Sequence, residues 1–220
     1  MKRKKCVVID YGIGNVFSVL RVIEKIGHMG ELTSDPKKIL RADRVILPGV
    51  GSFGQASLKI SELNLDATIV EYIASGKPFL GICVGMQLLV DHGSEFGFNS
   101  GLGVISGSVK KINLRQEGGM DFPLPLIGWR PVKQTYPGSW ENTPMMHLDA
   151  EDAFYFLHSY SVEVENPADE IGFYEVGESK LTSIIKRDNV LGVQFHPERS
   201  AASGQNFLKN FIEGISLKVN

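Results

Sequence analysis

Residues Lys77–Leu89 read Lys-Pro-Phe-Leu-Gly-Ile-Cys-Val-Gly-Met-Gln-Leu-Leu, and this stretch restricts the fold more than any other. Behind Pro78 the short apolar run suits a buried strand, and the residues beyond Gly85 carry an apolar helical pattern. Between them Gly81-Ile82-Cys83-Val84-Gly85 has the spacing of a nucleophile elbow, with cysteine in the serine position. A strand that turns straight into a helix strains its central residue and crowds the residues two positions to either side. Glycine has no side chain to collide there. The elbow lifts the Cys83 sulfur clear of the backbone and sets it at a helix N-terminus, where the dipole favours the reactive thiolate. A buried structural thiol beside a glycine turn explains an isolated G-x-C-x-G equally well, so the rest of the chain has to decide.

Upstream, Cys6–Ile9 is a continuous apolar run, the mark of a strand covered on both faces. It ends in Asp10-Tyr11-Gly12-Ile13-Gly14-Asn15. Val16, Phe17, Val19, Leu20, Ile23 and Ile26 then mark a helix closed by Gly27. This turn invites a dinucleotide-binding reading, but Phe17 stands where the third glycine belongs and no Walker sequence is present. A short strand at Glu31–Thr33 and a helix opened by Asp35-Pro36 follow. Arg44–Leu47 is a third strand that runs into Pro48-Gly49-Val50-Gly51-Ser52-Phe53-Gly54. The exposed N–H groups of such a loop can hold an anion or an oxyanion, and an ordinary βα loop has the same look. Leu65–Ala74 is a helix with Leu65, Ile69, Tyr72 and Ile73 on one face. The alternation predicts an α/β fold, with a mostly parallel sheet, helices on both faces, and glycine-rich loops at strand C-termini, where open sheets bind ligands.

After Asp91 the texture changes. Residues 91–103 form a Gly- and Ser-containing loop carrying Glu95. Val104–Leu114, Ala153–Val162, Ile171–Val176, Leu181–Lys186 and Val190–Phe195 read as strands that add antiparallel pairing to the same body. Gln205–Ile215 closes the chain as a helix with Phe207, Leu208, Phe211, Ile212 and Ile215 inward. With 220 residues, 43% of them hydrophobic, and no linker or repeat, we expect one domain over residues 1–220. A net charge of −2 leaves no electrostatic footprint for nucleic acid or an acidic membrane. The apolar run behind Lys2–Lys5 stops at Asp10, too soon for a signal peptide, and no transmembrane-length stretch follows, so a cytoplasmic protein is expected. Cys6 and Cys83, the two cysteines, make neither a disulfide framework nor a zinc site. Cys6 lies in an apolar run and reads as a core thiol.

A nucleophilic cysteine needs a base, and the base an orienter. Phe195-His196-Pro197-Glu198 supplies both in order, because Pro197 ends the Val190 strand and leaves His196 and Glu198 on a loop at a strand C-terminus. A lone histidine in such a place is commonly structural; the pairing with a cysteine elbow makes it a candidate. His28, His92 and His147 have no such context, and His158 sits ambiguously in a half-buried strand.

The elbow from Gly81 to Gln87 taken with Phe195-His196-Pro197-Glu198 resembles the class I, or triad, glutamine amidotransferases. Pro48–Gly51, Asp10–Asn15, Gly128-Trp129 and His158-Ser159-Tyr160 make the chain similar, within that family, to the glutaminase subunits of imidazole glycerol phosphate synthases of histidine biosynthesis. The resemblance implies a Cys83–His196–Glu198 triad that hydrolyses L-glutamine to glutamate and ammonia without cofactor or metal. It implies an oxyanion hole from the backbone of Val84 and of Val50–Gly51, and a glutamine pocket of Gly49, Gly51, Gln87, Glu95, Ser159 and Tyr160. It also implies a heterodimer with a (β/α)8-barrel synthase partner, docked through Gly12, Gly14, Asn15, Trp129, Arg130 and Arg199. One departure stands out: the family carries Asn after Gly-Trp, and here Arg130 stands there. That keeps open a sugar amidotransferase of surface-polysaccharide synthesis as the acceptor of ammonia. A cysteine hydrolase or peptidase on the same scaffold, and a binding subunit without catalysis, are the readings from other classes; Gln87, Pro48–Gly51 and an intact triad argue against them.

Overall fold

The computed structural model describes residues 4–115, 120–149 and 151–214. Up to the elbow the elements are β1 (Cys6–Ile9), α1 (Val16–Lys25), β2 (Gly30–Thr33), α2 (Pro36–Leu40), β3 (Arg44–Gly49), α3 (Phe53–Glu62), α4 (Leu65–Ala74), β4 (Phe79–Cys83) and α5 (Val84–Gln87). Beyond it come β5 (His92–Gly93), β6 (Asn99–Ser100), β7 (Gly107–Lys111), β8 (Leu126–Pro131), β9 (Lys133–Gln134), β10 (Ala153–His158), β11 (Tyr160–Val164), β12 (Glu170–Val176), β13 (Ser179–Arg187), β14 (Val190–Val193) and α6 (Ala201–Glu213).

Eight strands make the main sheet, in the order β2-β1-β3-β4-β14-β13-β12-β9. Pairing is parallel from β2 to β14 and antiparallel from β14 to β9. The expected α/β architecture with an antiparallel extension is thus observed. Every residue of β1, β3, β4 and β14 is buried, which is why these segments read as unbroken apolar runs. Helices flank the sheet in two groups, α1 with α6 and α2 and α3 with α4. Asp35 caps α2, its carboxylate accepting the Lys37 N–H at 2.8 Å with Pro36 at the first helical position.

Several elements differ from the sequence expectation, each for a tertiary reason. Val190–Val193 is not antiparallel to its neighbour on the β4 side. The tight turn at Asp188, where φ is +51°, reverses β13. The returning strand therefore lies parallel to β4, with Val193 opposite Ile82. Ala153–Val162 is not one strand. β10 pairs with β8 in a two-stranded sheet, β11 pairs with β7 in a four-stranded one, and Ser159 lies between them. The apolar alternation carries through the break, so the change of partner left no mark on the pattern. β8 was not expected as a strand, and its exposed Ile127 and Trp129 explain why it lacks a core signature. The glycine-rich stretch after β3 hides the start of α3, which buries Phe53, Ala56 and Ile60 and is capped by Ser52. Strand β7 is shorter than Val104–Leu114. Helix α6 begins at Ala201 rather than Gln205, because Gly204 lets it lie on the Pro197 carbonyl, where a Cβ would stand at 1.9 Å. Phe207, Leu208, Phe211 and Ile212 are buried as expected, and Ile215 lies outside the described residues.

Candidate active site

The elbow is built by close contact. A Cβ on Gly81 would stand 2.5 Å from the Gly85 carbonyl oxygen, and one on Gly85 would stand 1.9 Å from the Leu47 carbonyl oxygen of β3. Only glycine fits either place. Between them Cys83 has φ +54° and ψ −110°, a conformation that costs a non-glycine residue about 1–3 kcal/mol and persists where the surroundings enforce it. Helix α5 corrects one expectation. It is a single turn of four residues, too short to offer the sulfur much of a macrodipole. Whatever favours the thiolate has to come chiefly from side chains.

Those side chains arrive on β14. Because β14 is the parallel neighbour of β4, its C-terminal loop emerges beside Cys83. His196 is buried there, with Nδ1 2.9 Å from Glu198 Oε1. A carboxylate can only accept, so Nδ1 carries the proton and Nε2 is the ring atom left for the sulfur. Burial opposes charge on the imidazole. The Cys83 sulfur and the Glu198 carboxylate more than offset it, and the His196 pKa is pushed up to about 10. The backbone is pinned as well: the His196 N–H donates to Tyr155 O at 2.9 Å, and the Ser200 hydroxyl donates to His196 O at 2.6 Å. Glu198 Oε1 takes a second hydrogen bond from Asn15 Nδ2 at 3.3 Å, while its buried Oε2 has no partner among the described residues.

A cavity of about 240 Å³ opens over this group. Val50, Gly51, Cys83, Val84, Gln87, Glu95, Ser159, Tyr160 and His196 line it, together with Pro125, Leu157 and His158. The cavity therefore gathers the residues nominated for the oxyanion hole and the glutamine pocket, with Cys83 and His196, while Glu198 stands behind His196. Among the pocket residues Gly49 is the exception. It does not line the cavity but packs behind the elbow, where a Cβ would lie 2.8 Å from Gly85 N, Val84 Cβ and the Tyr11 hydroxyl. Glu95 is tethered at the opposite wall by the Phe53 N–H, 2.8 Å from Oε2. His158, ambiguous in sequence, is buried and doubly bonded, with Nδ1 2.7 Å from Tyr160 O and Nε2 2.7 Å from the Tyr174 hydroxyl. Burial lowers its pKa to about 4, so it is neutral.

Gln194 was missed. It is fully buried, and its Nε2 lies 3.6 Å from Cys83 Sγ. The signal was available: a lone amide in the apolar run Val190–Phe195 is a buried polar group that needs a partner.

The residues nominated for docking do not all behave alike. Trp129 is half exposed and meets Tyr155 edge-on, with ring centroids 6.1 Å apart; the Arg199 guanidinium lies 4.5 Å over the same Tyr155 ring. Arg130 pairs across from Phe154 on β10. Gly12 and Gly14 have φ of +81° and +141° in the loop after β1. Asn15 instead reaches inward to Glu198. Phe17, one of the apolar residues that mark α1, is 69% exposed at the start of that helix.

A buried cysteine on a strained turn, a charged imidazole and a small cavity with a carboxylate at its far wall make a device for attacking the carbonyl of a small, partly cationic substrate. The family model for class-I glutamine amidotransferases matches residues 7–215. The chain is 40% identical over 212 residues to the imidazole glycerol phosphate synthase subunit HisH of Gloeothece citriformis, covering 96% of each. It is 35% identical over 207 residues to the subunit HisH 1 of Legionella pneumophila, covering 94% of this chain and 97% of that one. Among solved structures it superimposes on that of PurLQS from Thermotoga maritima with a TM-score of 0.71 at 15% identity, covering 97% of this chain and 100% of that one. A glutamine amidotransferase from Thermotoga maritima matches with a TM-score of 0.60 at 15% identity, over 97% and 84% of the two chains. At those identities the superpositions speak to the fold alone.

Proposed function

Since this chain belongs to the class-I glutamine amidotransferases, we propose that it is the glutaminase subunit of an imidazole glycerol phosphate synthase, acting in histidine biosynthesis in the cytoplasm. The single observation that carries the chemistry is the juxtaposition of Cys83, at φ +54° on the elbow, with the buried His196–Glu198 pair on the neighbouring parallel strand.

In this reading the Cys83 thiolate attacks the side-chain carboxamide carbon of glutamine. The oxyanion is held by the N–H of Val84 and by the Val50–Gly51 backbone, where Gly51 has φ +82°. The His196 imidazolium gives its proton to the departing nitrogen, and ammonia leaves. Neutral His196 then takes a proton from water, which hydrolyses the glutamyl thioester and frees glutamate and Cys83. Glu198 orients His196 and stabilises its cation, and Asn15 steadies Glu198. Glu95 meets the substrate ammonium as a charge-assisted partner, with Gly51, Gln87, Ser159 and Tyr160 around the rest of the molecule. No part of this scheme consumes ammonia, so a separate (β/α)8-barrel synthase partner receives it in a heterodimer. The cluster of Trp129, the half-buried Tyr155 and Arg199 beside the triad is the surface we assign to that partner, with Phe17, Gly12, Gly14 and Arg130.

The test pairs the chain with a histidine-pathway synthase subunit. Cys83→Ala should abolish glutamine-dependent product and spare ammonia-dependent product. Addition of the partner and its acceptor ligand should raise glutamine turnover by the wild type about a thousandfold, the worth of one oxyanion donor set in place. Glutaminase activity surviving in Cys83→Ala would refute the assignment. Arg130 keeps a second acceptor, a sugar amidotransferase, as the alternative. If Arg130→Asn restores pairing with a histidine-pathway barrel that the natural chain refuses, the acceptor is something other than the histidine-pathway synthase.

A further inference from the structure

Two buried amides, Gln87 and Gln194, stand between the cavity and the sheet, 3% and 0% exposed. A buried amide needs partners at both ends, and its neighbours decide which end points where. Here the choice starts from an atom that can only accept. The Tyr160 carbonyl takes hydrogen bonds from His158 Nδ1 at 2.7 Å and Gln87 Nε2 at 3.2 Å. His158 is neutral, and its Nε2 accepts from the Tyr174 hydroxyl, so its proton is on Nδ1 and the carbonyl cannot be freed by a change of tautomer. That carbonyl draws the amino end of Gln87 toward itself. The second proton of the same amino group goes to Gln194 Oε1 at 3.1 Å. With its oxygen so engaged, Gln194 turns its own amino group to Cys83, 3.6 Å from Sγ. Phe195, the residue between Gln194 and His196, packs into the core against Phe154 at a ring-centroid distance of 4.1 Å.

We propose that Gln194 is a further catalytic residue, whose amide N–H holds the Cys83 thiolate alongside His196, and that the Tyr160 carbonyl and Gln87 act as positioning groups that fix its donor end toward sulfur. The proposal rests on Cys83 being the nucleophile. A donor aimed at sulfur favours the charged, acceptor-only thiolate over the thiol. With α5 reduced to one turn, this donor and the imidazolium take over the role a longer helix would play. The relay also reassigns Gln87, both of whose amino protons are spent on the protein.

The test is carbamidomethylation of Cys83 by iodoacetamide across pH in the full chain with its partner, quantified by peptide mass spectrometry. Cys6 is the internal control, since burial pushes its thiol up to about 12. In Gln194→Leu the rate at pH 7 should fall about tenfold to a hundredfold, the worth of one hydrogen bond to a charged group, and the rate–pH curve should move to higher pH. Gln194→Glu puts an acceptor where the donor stood and should be slower still. Gln87→Met frees the Gln194 amide to turn and should fall between wild type and Gln194→Leu. The kcat for glutamine should follow the same order, with KM held within about twofold in the two Gln194 variants, which loosened packing would not produce. A variant that fails to melt cooperatively is set aside, and the others decide. Rates within twofold of wild type in the folded variants, or Gln194→Glu matching or exceeding Gln194→Leu, would overturn the proposal while leaving Cys83 in place. A wild type in which Cys83 reacts no faster than Cys6 would overturn both.

Discussion

Glu198→Gln separates the charge of the triad from its shape. In the wild type the His196 pKa stands near 10 against an ordinary 6.5, a preference for imidazolium worth about 5 kcal/mol net of burial. Cys83 is the larger source and Glu198 the smaller; a hydrogen bond to a charged group is worth about 1.5–3 kcal/mol, and about 2 kcal/mol is taken for the carboxylate. Glutamine keeps the Nδ1–H···O contact, 2.9 Å long in the wild type, and removes the charge. The sign follows directly. Losing a partner that raises a folded-state pKa lowers it, so His196 gives up its proton at lower pH. The alkaline limb of glutamine turnover should then move from about 10 to about 8.5, since each 1.36 kcal/mol is one pH unit. At pH 9.5 the variant should lose roughly tenfold more activity than at pH 7.5. The new amino group would also occupy the site of Oε2, which has no partner among the described residues, at a cost of about 1–3 kcal/mol of stability. The assay is initial glutamate formation from pH 6 to pH 10.5 with the partner present, and ammonia-dependent synthesis measured in parallel to remove the partner's own pH response. An unmoved alkaline limb, or a loss as deep as that of His196→Ala, would show that Glu198 does not act by charging the imidazole.

Gly85→Ala should abolish folding or cost more than about 3 kcal/mol, because its Cβ would meet Leu47 O at 1.9 Å between two buried strands; a thermal melt within a few degrees of wild type would disprove the close packing. His158 has a pKa lowered by burial to about 4, so its contribution is complete above pH 6.5 and is lost as pH falls toward 4, by up to about 3 kcal/mol. Denaturant titrations at pH 7 and pH 4.5 should show a flatter pH dependence in His158→Gln than in wild type. Asn189→Ala should cost about 2–3 kcal/mol, since Nδ2 holds Ile73 O at 2.9 Å and Lys77 O at 2.6 Å, and should lower kcat although it lies at the opposite end of β14 from His196. Equal kcat in Asn189→Ala and wild type would separate that anchor from the chemistry.

Much of the site was legible because its constraints are local. Gly81 is dictated by a contact within one turn, Gly85 belongs to the same short motif although its closest contact is to β3, and Pro197 ends a strand by its own chemistry. The inner parallel strands announced themselves as apolar runs because both faces are covered, whereas the edge strand β2 is only partly buried. What could not be read were changes of partner. Nothing in Ala153–Val162 says that its halves join different sheets, yet that break places Ser159 and Tyr160 at the cavity wall. Gly49, nominated for the pocket by the resemblance, is set behind the elbow, where its missing side chain clears space for Val84 and Tyr11. Asn15, nominated for partner docking by the resemblance, is recruited to Glu198 across 183 positions of sequence.

The meeting of Cys83 with His196 depends on direction and register, and both are set far from the chemistry. β12, β13 and β14 are joined in series by tight turns, so their directions alternate. Only with β14 parallel to β4 does the loop carrying His196 emerge at the edge where the elbow opens. Direction alone does not suffice, because a slip of one residue turns every side chain of a strand to the other face. Such a slip would send Gln194 and His196 into the packing now filled by Phe195. The register is fixed at the other end of the pair. Asn189 O accepts the Phe79 N–H at 3.0 Å, and its side chain clamps Ile73 and Lys77 just before β4 begins. From there Val190 faces Phe79 and Val193 faces Ile82, with no irregularity between. The Asp188-Asn189 turn, which in sequence reads as mere punctuation, is therefore what delivers the base to the nucleophile.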